Sequence, residues 1–381
     1  MNNSRKKILV FATTYLPFIG GAEITVQEIT KRITDVDFDI VTVDLDGKQI
    51  KTEVMGNVTI HRIGSGRLGK LFFPIRAFVL GSKLNRKNKY DAFWSVMASY
   101  AGFAGLLFSY RHPRIPFVLT LQEGDTKEEL RAKFQFVWFL FKKIFKRATM
   151  IQAISGYLAE FAIEIDDKAT VVVIPNGVDV DRFNLDVSGQ VREFQRKYQK
   201  GPKDIFLVTT SRLVRKNAVR DIIVSLINLP KNIKLLIVGD GQLRKDLEAG
   251  AIKDNVIDRV IFAGEVPHDL VLAHLKISEI FVRPSLSEGF GNSFVEAMAA
   301  GLPVVATPVG GIVDFISDRK TGVFCKVNNP EDLAQKVLLL IENSDLKDEI
   351  VQNASDLVRE KYNWSLIAER MKKEVFDVVW E

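Results

Sequence analysis

Glu288 and Glu296 enclose the segment of this chain that is best suited to binding an anion. The seven residues between them, 289–295, read Gly-Phe-Gly-Asn-Ser-Phe-Val, and their glycines and asparagine lie where a helix should begin. The first amides of a helix can donate to a phosphate oxygen, and the helix dipole favours negative charge there. The two carboxylates can accept hydrogen bonds from hydroxyl groups. The segment therefore predicts a ligand with phosphate in the middle and hydroxyls at both ends, as in a nucleotide sugar.

A second candidate for phosphate binding is Arg212, which follows the apolar run 205–209. If that run is a strand, its carboxyl end presents Arg212 where the guanidinium can pair with a diphosphate. Gly20 and Gly21 precede the first predicted helix, and their bare backbone lets a ligand approach closely. Each feature also has a purely structural interpretation: Arg212 could be an exposed loop residue, and a glutamate near a helix start can simply complement the dipole.

The elements that would position these residues form two α/β halves, each opening with a buried strand. Apolar runs alternate with stretches of helical spacing, of which 22–33 is the first. The predicted strands of the first half are 7–12, 38–43, 58–63, 92–96, 117–121, 150–153 and 170–174. Those of the second half are 205–209, 233–238, 260–262, 280–282 and 304–307. This alternation predicts parallel sheets covered by helices on both faces.

The polar, glycine-containing stretch 184–204 predicts the change from one domain to the next. We expect a first domain over residues 1–188 and a second over 200–363. Ligands of open parallel sheets bind beyond the carboxyl ends of the strands. Two such sheets facing each other would therefore place the site in the cleft between them.

Composition allows a large core, because 47% of the 381 residues are hydrophobic and 26% are charged. Cys325 is the only cysteine, which excludes an intrachain disulfide. The opening MNNSRKK runs into a strand-like stretch rather than a secretion signal. No apolar run reaches the roughly 18 residues of a membrane-spanning helix. We therefore expect a cytoplasmic location.

Two segments of the first half combine basic with large apolar side chains. Residues 62–90 contain eight lysines and arginines and no acid, and residues 131–147 interleave basic residues with phenylalanines and a tryptophan. Such helices suit an anionic membrane surface. The alternative is that each segment is a core-facing helix with solvated lysines. Nucleic acid is not an expected partner, because no recognised binding signature accompanies the charge.

The order of the motifs resembles glycosyltransferase family 4, whose members have the GT-B fold of two Rossmann-like domains. The resemblance covers nearly the whole chain. Its motifs are PFIGGAE at 17–23, IPNGVD at 174–179, SRL at 211–213, VGDGQL at 238–243, FAG at 262–264, the two-glutamate segment, and AAGLPVVATPVGG at 299–311. The fold commonly returns its last helix to the first domain, which implies that 364–381 joins residues 1–188.

The resemblance implies a division of roles around the donor. Glu296 would bind the ribose and Glu288 the transferred sugar, while the amides of 290–293 would hold the distal phosphate. Gly310 and Gly311 are expected to be scaffold. The residues implied to bind the donor besides Glu296 are Gly20, Gly21, Asn176, Gly241, Val266, Gly289, Phe290, Gly291, Asn292 and Ser293.

One departure from the family pattern concerns positive charge. The family usually has a lysine five residues after the arginine, where this chain has Asn217, so Lys216 is the expected substitute. The four histidines show no metal-ligand spacing, and no Asp-x-Asp motif occurs in a donor context. We therefore expect catalysis without metal or cofactor, in which Arg212 and Lys216 stabilise the departing diphosphate.

A second departure follows the predicted strand 117–121, where family members often have a histidine. This chain has Gln122-Glu123-Gly124-Asp125 instead. Gln122 cannot act as an acid or base, but it can hydrogen-bond the sugar or the acceptor. Glu123 or Asp125 could supply a carboxylate to the acceptor hydroxyl. Asp125 could instead cap a helix that starts at Thr126.

Taken with the resemblance, these residues imply a retaining glycosyltransferase that moves a sugar from a UDP- or GDP-sugar to an acceptor hydroxyl. The basic segments favour a lipid-linked or membrane-associated glycan as acceptor, in polysaccharide or glycolipid synthesis, with the enzyme peripheral at the inner face of the membrane. Two alternatives stay open. One is a non-catalytic nucleotide-sugar sensor or subunit, motivated by the two departures. The other is a GT-B-fold epimerase, which the PNGVD and GGAE motifs argue against.

Overall fold

The structure, a computed structural model, describes residues 5–18 and 20–381. Two parts of the sequence predictions, the opening residues 1–4 and Ile19 of the PFIGGAE motif, lie outside the described residues. The chain divides into two compact units, Met1–Asn176 with Trp364–Glu381, and Gly177–Asn363. This division lies before residue 188, where the sequence placed the end of the first domain.

The first unit is built on an eight-stranded sheet with the order β3-β4-β2-β1-β5-β6-β7-β8. Its strands are β1 (Lys6–Ala12), β2 (Val36–Asp44), β3 (Thr52–Met55), β4 (Val58–Ser65), β5 (Ala92–Val96), β6 (Phe117–Leu121), β7 (Met150–Ala153) and β8 (Val171–Val173). All predicted strands of this half are present, and the pairs are parallel except for β3 with β4. The sequence missed β3, because this short edge strand is largely exposed and lacks an apolar run.

Helices cover both faces of this sheet. They are α1 (Gly21–Arg32), α2 (Gly66–Leu71), α3 (Phe73–Asn88), α4 (Tyr100–Arg111), α5 (Lys127–Lys133), α6 (Trp138–Arg147) and α7 (Gly156–Ile165). Val10 of β1 packs in one core with Val26 of α1, whereas the neighbouring Phe11 contacts Phe108 of α4. Because neighbouring residues of a strand face opposite sides, α1 and α4 lie on opposite faces.

The second unit has a six-stranded parallel sheet with the order β11-β10-β9-β12-β13-β14. Its strands are β9 (Ile205–Thr210), β10 (Ile233–Val238), β11 (Val260–Gly264), β12 (Ile280–Arg283), β13 (Val304–Ala306) and β14 (Val323–Phe324). All predicted strands of this half are present, and the two-residue β14 was too short to predict. The chain order reverses between β9 and β12, and parallel sheets bind ligands beyond the strand ends at such a point. Arg212 follows β9, and Arg283 ends β12.

The first two helices of the second unit lie just before and within the stretch 184–204, which the sequence assigned to a connection. The helices of this unit are α8 (Val180–Phe183), α9 (Ser188–Lys197), α10 (Val219–Ser225), α11 (Arg244–Lys253), α12 (Val271–Lys276), α13 (Asn292–Ala299), α14 (Pro330–Glu342) and α15 (Ser344–Lys361). Helix α9 buries Phe194 against His274 of α12, with ring centroids 4.1 Å apart. The polar composition of 184–204 therefore reflects a surface helix of the second unit rather than a loose connection.

The final stretch folds onto the first unit. It contains α16 (Trp364–Arg370), a π-helical turn (Met371–Phe376) and α17 (Asp377–Trp380). The Phe376 ring lies 5.6 Å from that of Trp94 and 6.3 Å from that of Phe38, measured between centroids. The side chain of Arg370 donates to the carbonyl of Val173. These contacts join residues 364–381 to the sheet of the first unit.

Candidate functional site

The predicted helix start lies between the two glutamates. Helix α13 begins at Asn292, directly after Gly291, whose φ of 99° lies in the left-handed region that favours glycine. A Cβ at Gly291 would lie 2.5 Å from Cδ2 of Phe294 and 3.2 Å from Cγ of Glu288. Glycine is therefore required both for the turn and for the close packing. The amides of 290–293 lie at the N-terminal end of α13, where the dipole favours an anion.

The side chain of Phe290 is not available to a ligand. It is 2% exposed, and its ring packs against those of Phe315 and Tyr362, with centroids 5.2 and 5.7 Å away. Gly289 beside it is also buried. Phe290 anchors the turn in the core, so its contribution to donor binding would come from its backbone.

Glu288 is held by a buried arginine that the sequence predictions did not include. Nη2 of Arg283 lies 2.5 Å from Oε2 of Glu288 and 2.9 Å from Oδ1 of Asn217. Nη1 of Arg283 donates to the hydroxyl of Ser293 over 2.6 Å. The guanidinium thus joins the acid, the start of α13 and the loop after β9. The only sign of Arg283 in the sequence is that a charged residue directly follows the apolar predicted strand 280–282.

The backbone of Glu288 is fixed by the two glycines that were expected to be scaffold. The amide of Gly311 donates to the carbonyl of Glu288 over 3.0 Å. Gly310 has φ of 54°, and a Cβ there would lie only 1.9 Å from the same carbonyl oxygen. Gly310 and Gly311 therefore position Glu288 from the loop after β13.

Arg212 and Lys216 belong to one loop after β9. The side-chain amide of Asn217 donates to the Arg212 carbonyl over 2.7 Å, and the Lys216 carbonyl accepts from the amide of Leu286 over 2.7 Å. Asn217 is 3% exposed, Lys216 is half-buried and Arg212 is exposed. The loop therefore presents Arg212 outward while it buries the position where the family usually has lysine.

Gly241 supports this loop by close packing. A Cβ at Gly241 would lie 2.6 Å from the carbonyl oxygen and 2.7 Å from the amide nitrogen of Leu213. Both atoms are backbone, so they cannot yield by a rotamer change. Gly241 is therefore required for the shape of the loop that carries Arg212, and any contact with the donor would be additional.

Glu296 lies beside His268, which in turn contacts Arg182, and the sequence predicted neither contact. Its Oε1 atom is 3.4 Å from Nε2 of His268, in the segment that follows Val266. Nη1 of Arg182 lies 2.6 Å from Nδ1 of His268, and Arg182 also donates to the His268 carbonyl. Val266 itself is half-buried after β11. Glu296, which is expected to bind the ribose, thus lies close to the loop after β11, which is expected to face the nucleobase.

In the first unit, Gln122 and Asn176 lie together. Nε2 of Gln122 is 3.3 Å from Oδ1 of Asn176, which also accepts from the hydroxyl of Thr25 over 2.8 Å. The Thr25 hydroxyl is 2.7 Å from the carbonyl oxygen of Gly21. Asn176 is 2% exposed, so it connects Gln122 to the start of α1.

Glu123 was a candidate carboxylate for the acceptor, but its geometry does not support that role. Its Oε1 accepts from the amide of Ala98 over 2.6 Å and its Oε2 from the amide of Gln122 over 2.9 Å. The side chain is fully buried, and this burial raises the pKa of Glu123 above the usual value. Glu123 therefore ties the loop after β5 to the end of β6.

The alternative that Asp125 caps the next helix is wrong. Thr126 is the cap: its hydroxyl accepts from the amide of Glu129 over 3.1 Å, and Oε2 of Glu129 accepts from the amide of Thr126 over 2.9 Å. This reciprocal pair is a capping box, which satisfies two amides at the helix start. Oδ2 of Asp125 lies 3.6 Å from Nζ of Lys133.

The glycine loop before α1 is covered by a glutamate. The Thr14 hydroxyl donates to Oε1 of Glu23, and a Cβ at Gly20 would lie 2.6 Å from Oε2 of Glu23. Gly20 is extended and Gly21 is exposed at the first position of α1. The carboxylate of Glu23 therefore lies against the bare backbone of Gly20.

The described residues contain neither a metal-binding cluster nor a membrane-spanning helix. Within residues 5–18 and 20–381, no three His, Cys, Asp or Glu side chains form a group that could hold a metal ion. No helix in this part of the chain combines the length and apolar character needed to cross a membrane. Catalysis without metal or cofactor stays a prediction.

Comparisons with known proteins match both halves of the chain. Residues 19–182 match the family described as Glycosyltransferase Family 4, and residues 190–357 match Glycosyl transferases group 1. The chain is 27% identical over 392 residues to the capsular polysaccharide biosynthesis glycosyltransferase CapM of Staphylococcus aureus, covering 98% of this chain and 97% of that protein. It is 28% identical over 233 residues to a GDP-mannose-dependent alpha-(1-6)-phosphatidylinositol monomannoside mannosyltransferase of Mycobacterium tuberculosis, covering 58% and 60%.

Among solved structures, the chain is similar to Anabaena HepE, which was crystallised with UDP and glucose. The TM-score is 0.81 at 19% identity, and the match covers 98% of this chain and 100% of the other. Similarity at this identity shows the fold. The two parallel α/β units thus have the GT-B fold that the sequence predicted.

Proposed function

This chain belongs to glycosyltransferase family 4, and we propose that it moves a sugar from a nucleoside diphosphate sugar to an acceptor hydroxyl with retention of anomeric configuration. The observation that carries the proposal is Glu288 in the turn just before α13, fixed through its carbonyl by Gly311 and through its carboxylate by Arg283. A rigid acid beside a helix N-terminus can recognise sugar hydroxyls and phosphate together.

On the donor side, each group has one task. Glu296 accepts hydrogen bonds from the ribose hydroxyls, and Glu288 accepts from the transferred sugar. The amides of 290–293 and the exposed Arg212 stabilise the negative charge that grows on the diphosphate as the bond to the sugar breaks. The amides are fixed before the reaction, which is the condition under which such stabilisation is strong, and Arg212 adds a positive charge.

In the first unit, Gln122 hydrogen-bonds the transferred sugar or the acceptor. Its amide has no proton to exchange with the acceptor hydroxyl, so its contribution is orientation. Asn176 and Thr25 hold it relative to the start of α1. The support for retention, with departure and attack on the same face of the sugar, is family membership.

We further propose that the acceptor is lipid-linked or membrane-associated and that the enzyme is peripheral at an anionic membrane. The support is a surface of the first unit, here called the basic face, formed by α2 and α3, α4, and the segment 135–147. Helix α3 packs against α4, and α4 packs against α6, so the three form a continuous layer.

The basic face exposes a cluster of large apolar side chains to solvent. Phe136 is 88% exposed, and the others are Leu68, Leu71, Phe72, Ile75, Val79, Leu107, Tyr110, Val137 and Phe139. Neither 66–88 nor 135–147 contains an acid, and their basic residues are Arg67, Lys70, Arg76, Lys83, Arg86, Lys87, Lys142, Lys143, Lys146 and Arg147. Exposed aromatics combined with positive charge are typical of surfaces that bind anionic lipid. The alternative of core-facing helices accounts for Phe73, Phe141 and Phe145, which are buried, and leaves Phe136 unexplained.

The function is tested first by screening UDP-, GDP- and ADP-sugars for binding by thermal shift, followed by product analysis with lipid-linked acceptors. We expect donor consumption that depends on acceptor, and its loss in folded Glu288→Gln and Arg212→Ala. Full activity in both variants would refute the assignment. Donor binding without any turnover would favour the sensor, and an epimerised sugar nucleotide as the product would favour the epimerase.

The membrane proposal is tested by co-sedimentation with vesicles that contain or lack anionic lipid. Burying the ring of Phe136 contributes about 1.5–3 kcal/mol, and each lysine near the surface about 1 kcal/mol. Phe136→Ser should therefore lower binding at least about tenfold. The matched control is Ile252→Ser on α11, since Ile252 is also exposed but lies in the second unit. Equal binding of both variants, or binding that ignores anionic lipid, would contradict the proposal.

A further inference from the structure

Arg283 is a buried cation in the second unit with more donors than partners. Its side chain is 10% exposed, and it contacts one carboxylate, one amide oxygen and one hydroxyl, from Glu288, Asn217 and Ser293. Arginine carries five N–H donors. Among the described residues, Nε of Arg283 has no hydrogen-bond partner, and neither has the buried hydroxyl of Ser285 two residues later. Nε is itself enclosed, but the two terminal nitrogens carry four N–H groups and make three hydrogen bonds to the described residues, so one N–H of Nη1 is left for a further acceptor.

The guanidinium also occupies the space that a long side chain at position 217 would need. Oδ1 of Asn217 is 2.9 Å from Nη2 of Arg283, and the other end of the same amide donates to the Arg212 carbonyl over 2.7 Å. A lysine at 217 would extend its ammonium into the region now filled by Arg283. This corner therefore has room for one cation, and in this chain β12 supplies it.

The same cation lies next to the proposed phosphate position. Nη1 of Arg283 is 2.6 Å from the hydroxyl of Ser293, the second residue of α13, whose N-terminus is the proposed phosphate site. We propose that Arg283 is the residue that binds the distal phosphate of the donor at this corner, in the place that sequence reasoning gave to Lys216. The inference rests on the proposed function. In the same position Arg283 orients Glu288 toward the transferred sugar.

The test compares UDP with UMP, which lacks the distal phosphate, by calorimetry on the full chain. Arg283→Met should weaken UDP binding about 10- to 100-fold, the size of one charge-assisted hydrogen bond, and change UMP binding less than about twofold. Asn217→Lys in addition to Arg283→Met should restore most of the preference for UDP. Asn217→Lys alone should reduce turnover, because two cations then compete for one space. If screening selects guanine, GDP and GMP replace the uridine nucleotides.

Removing Arg283 leaves Glu288 buried without its partner, which can prevent folding. The second comparison therefore uses Glu288→Gln with and without Arg283→Met, since neither variant then has an unpaired carboxylate. We expect the ratio of UDP to UMP affinity to be at least about tenfold smaller when Arg283 is absent.

Equal ratios in that pair, or a folded Arg283→Met that keeps the wild-type ratio, would overturn the inference. The inference would also be overturned if Arg283→Met combined with Asn217→Lys bound UDP as weakly as Arg283→Met alone. Failure of the proposed function gives a different result: the wild-type chain would then bind neither UDP nor GDP and consume no donor, whatever the variants do.

Discussion

The carbonyl of Glu288 offers a direct test of whether the backbone positions the acid for catalysis. At Gly310 an alanine would place Cβ 1.9 Å from this oxygen, in a residue with φ of 54°. At Gly301 an alanine meets no atom within 4 Å, although φ is 81°. The two substitutions therefore share backbone strain and differ in the clash.

The magnitudes separate the two effects. Left-handed backbone costs a non-glycine residue about 1–2 kcal/mol, and this applies to Gly301→Ala and Gly310→Ala alike. An ordinary carbon–oxygen contact needs about 3.4 Å or more, so in Gly310→Ala the carbonyl of Glu288 must move by more than about 1 Å. A displacement of that size near reacting groups costs about 100-fold in rate, or about 2.7 kcal/mol of transition-state stabilisation.

The assay is release of nucleoside diphosphate from the donor identified by screening, with kcat and KM measured for both variants and melting followed in parallel. We expect Gly301→Ala to lower the melting temperature with kcat/KM within about threefold of wild type. Gly310→Ala should melt lower still and lose about 100-fold in kcat/KM. The reasoning is refuted if folded Gly310→Ala is fully active, or if both variants lose activity equally.

Three further predictions concern stability. Thr126→Ala should destabilise the protein by about 1 kcal/mol in urea unfolding, because it removes a capping hydroxyl, whereas Asp125→Ala should change little; the reverse order would contradict the observed cap. Because burial raises the pKa of Glu123 in the folded state, its contribution to stability is present below about pH 4.3 and is lost as pH rises through the folded pKa. The unfolding free energy of wild type minus that of Glu123→Gln should therefore fall from pH 4 to pH 8, and a rise would show that the backbone amides dominate. Burial raises the pKa of the Cys325 thiol to about 12, so iodoacetamide at pH 8 should label it only on unfolding, and rapid labelling of folded protein would refute its burial.

Sequence reasoning worked where the signal is local. The strand runs and the helix start after Gly291 each depend on neighbouring residues whose conformational preferences are strong, whereas the roles given to Glu288 and Glu296 stay predictions. A local preference also underlies the scaffold role of Gly310 and Gly311, which a close backbone approach requires. Dependence on local patterns also explains why β3 was missed, since this short strand has no run of apolar residues that would predict it.

The contacts that complete the site join residues far apart in the sequence, and no local pattern predicts them. Arg283 and Asn217 are 66 positions apart, and Gln122 and Asn176 are 54 apart. Thr25 and Asn176 are separated by 151 positions. Such pairs depend on which strand ends meet in the sheet. A charged residue ending an apolar strand, as Arg283 does, is the signal that sequence reasoning could have used.

The two departures from the family pattern differ in what replaces the missing group. At Asn217 the missing positive charge has a substitute close by, because Arg283 reaches the same corner from β12. At Gln122 the adjacent carboxylate is already engaged, because both oxygens of Glu123 accept from backbone amides, and the catalytic role expected of Asp125 stays a prediction. The proposed reaction therefore depends on charge stabilisation in the second unit, while the first unit contributes orientation. Under this division, a neutral substitution at Gln122 should cost less in kcat than the loss of Arg283, because hydrogen bonds to neutral groups are weaker than those to charged ones.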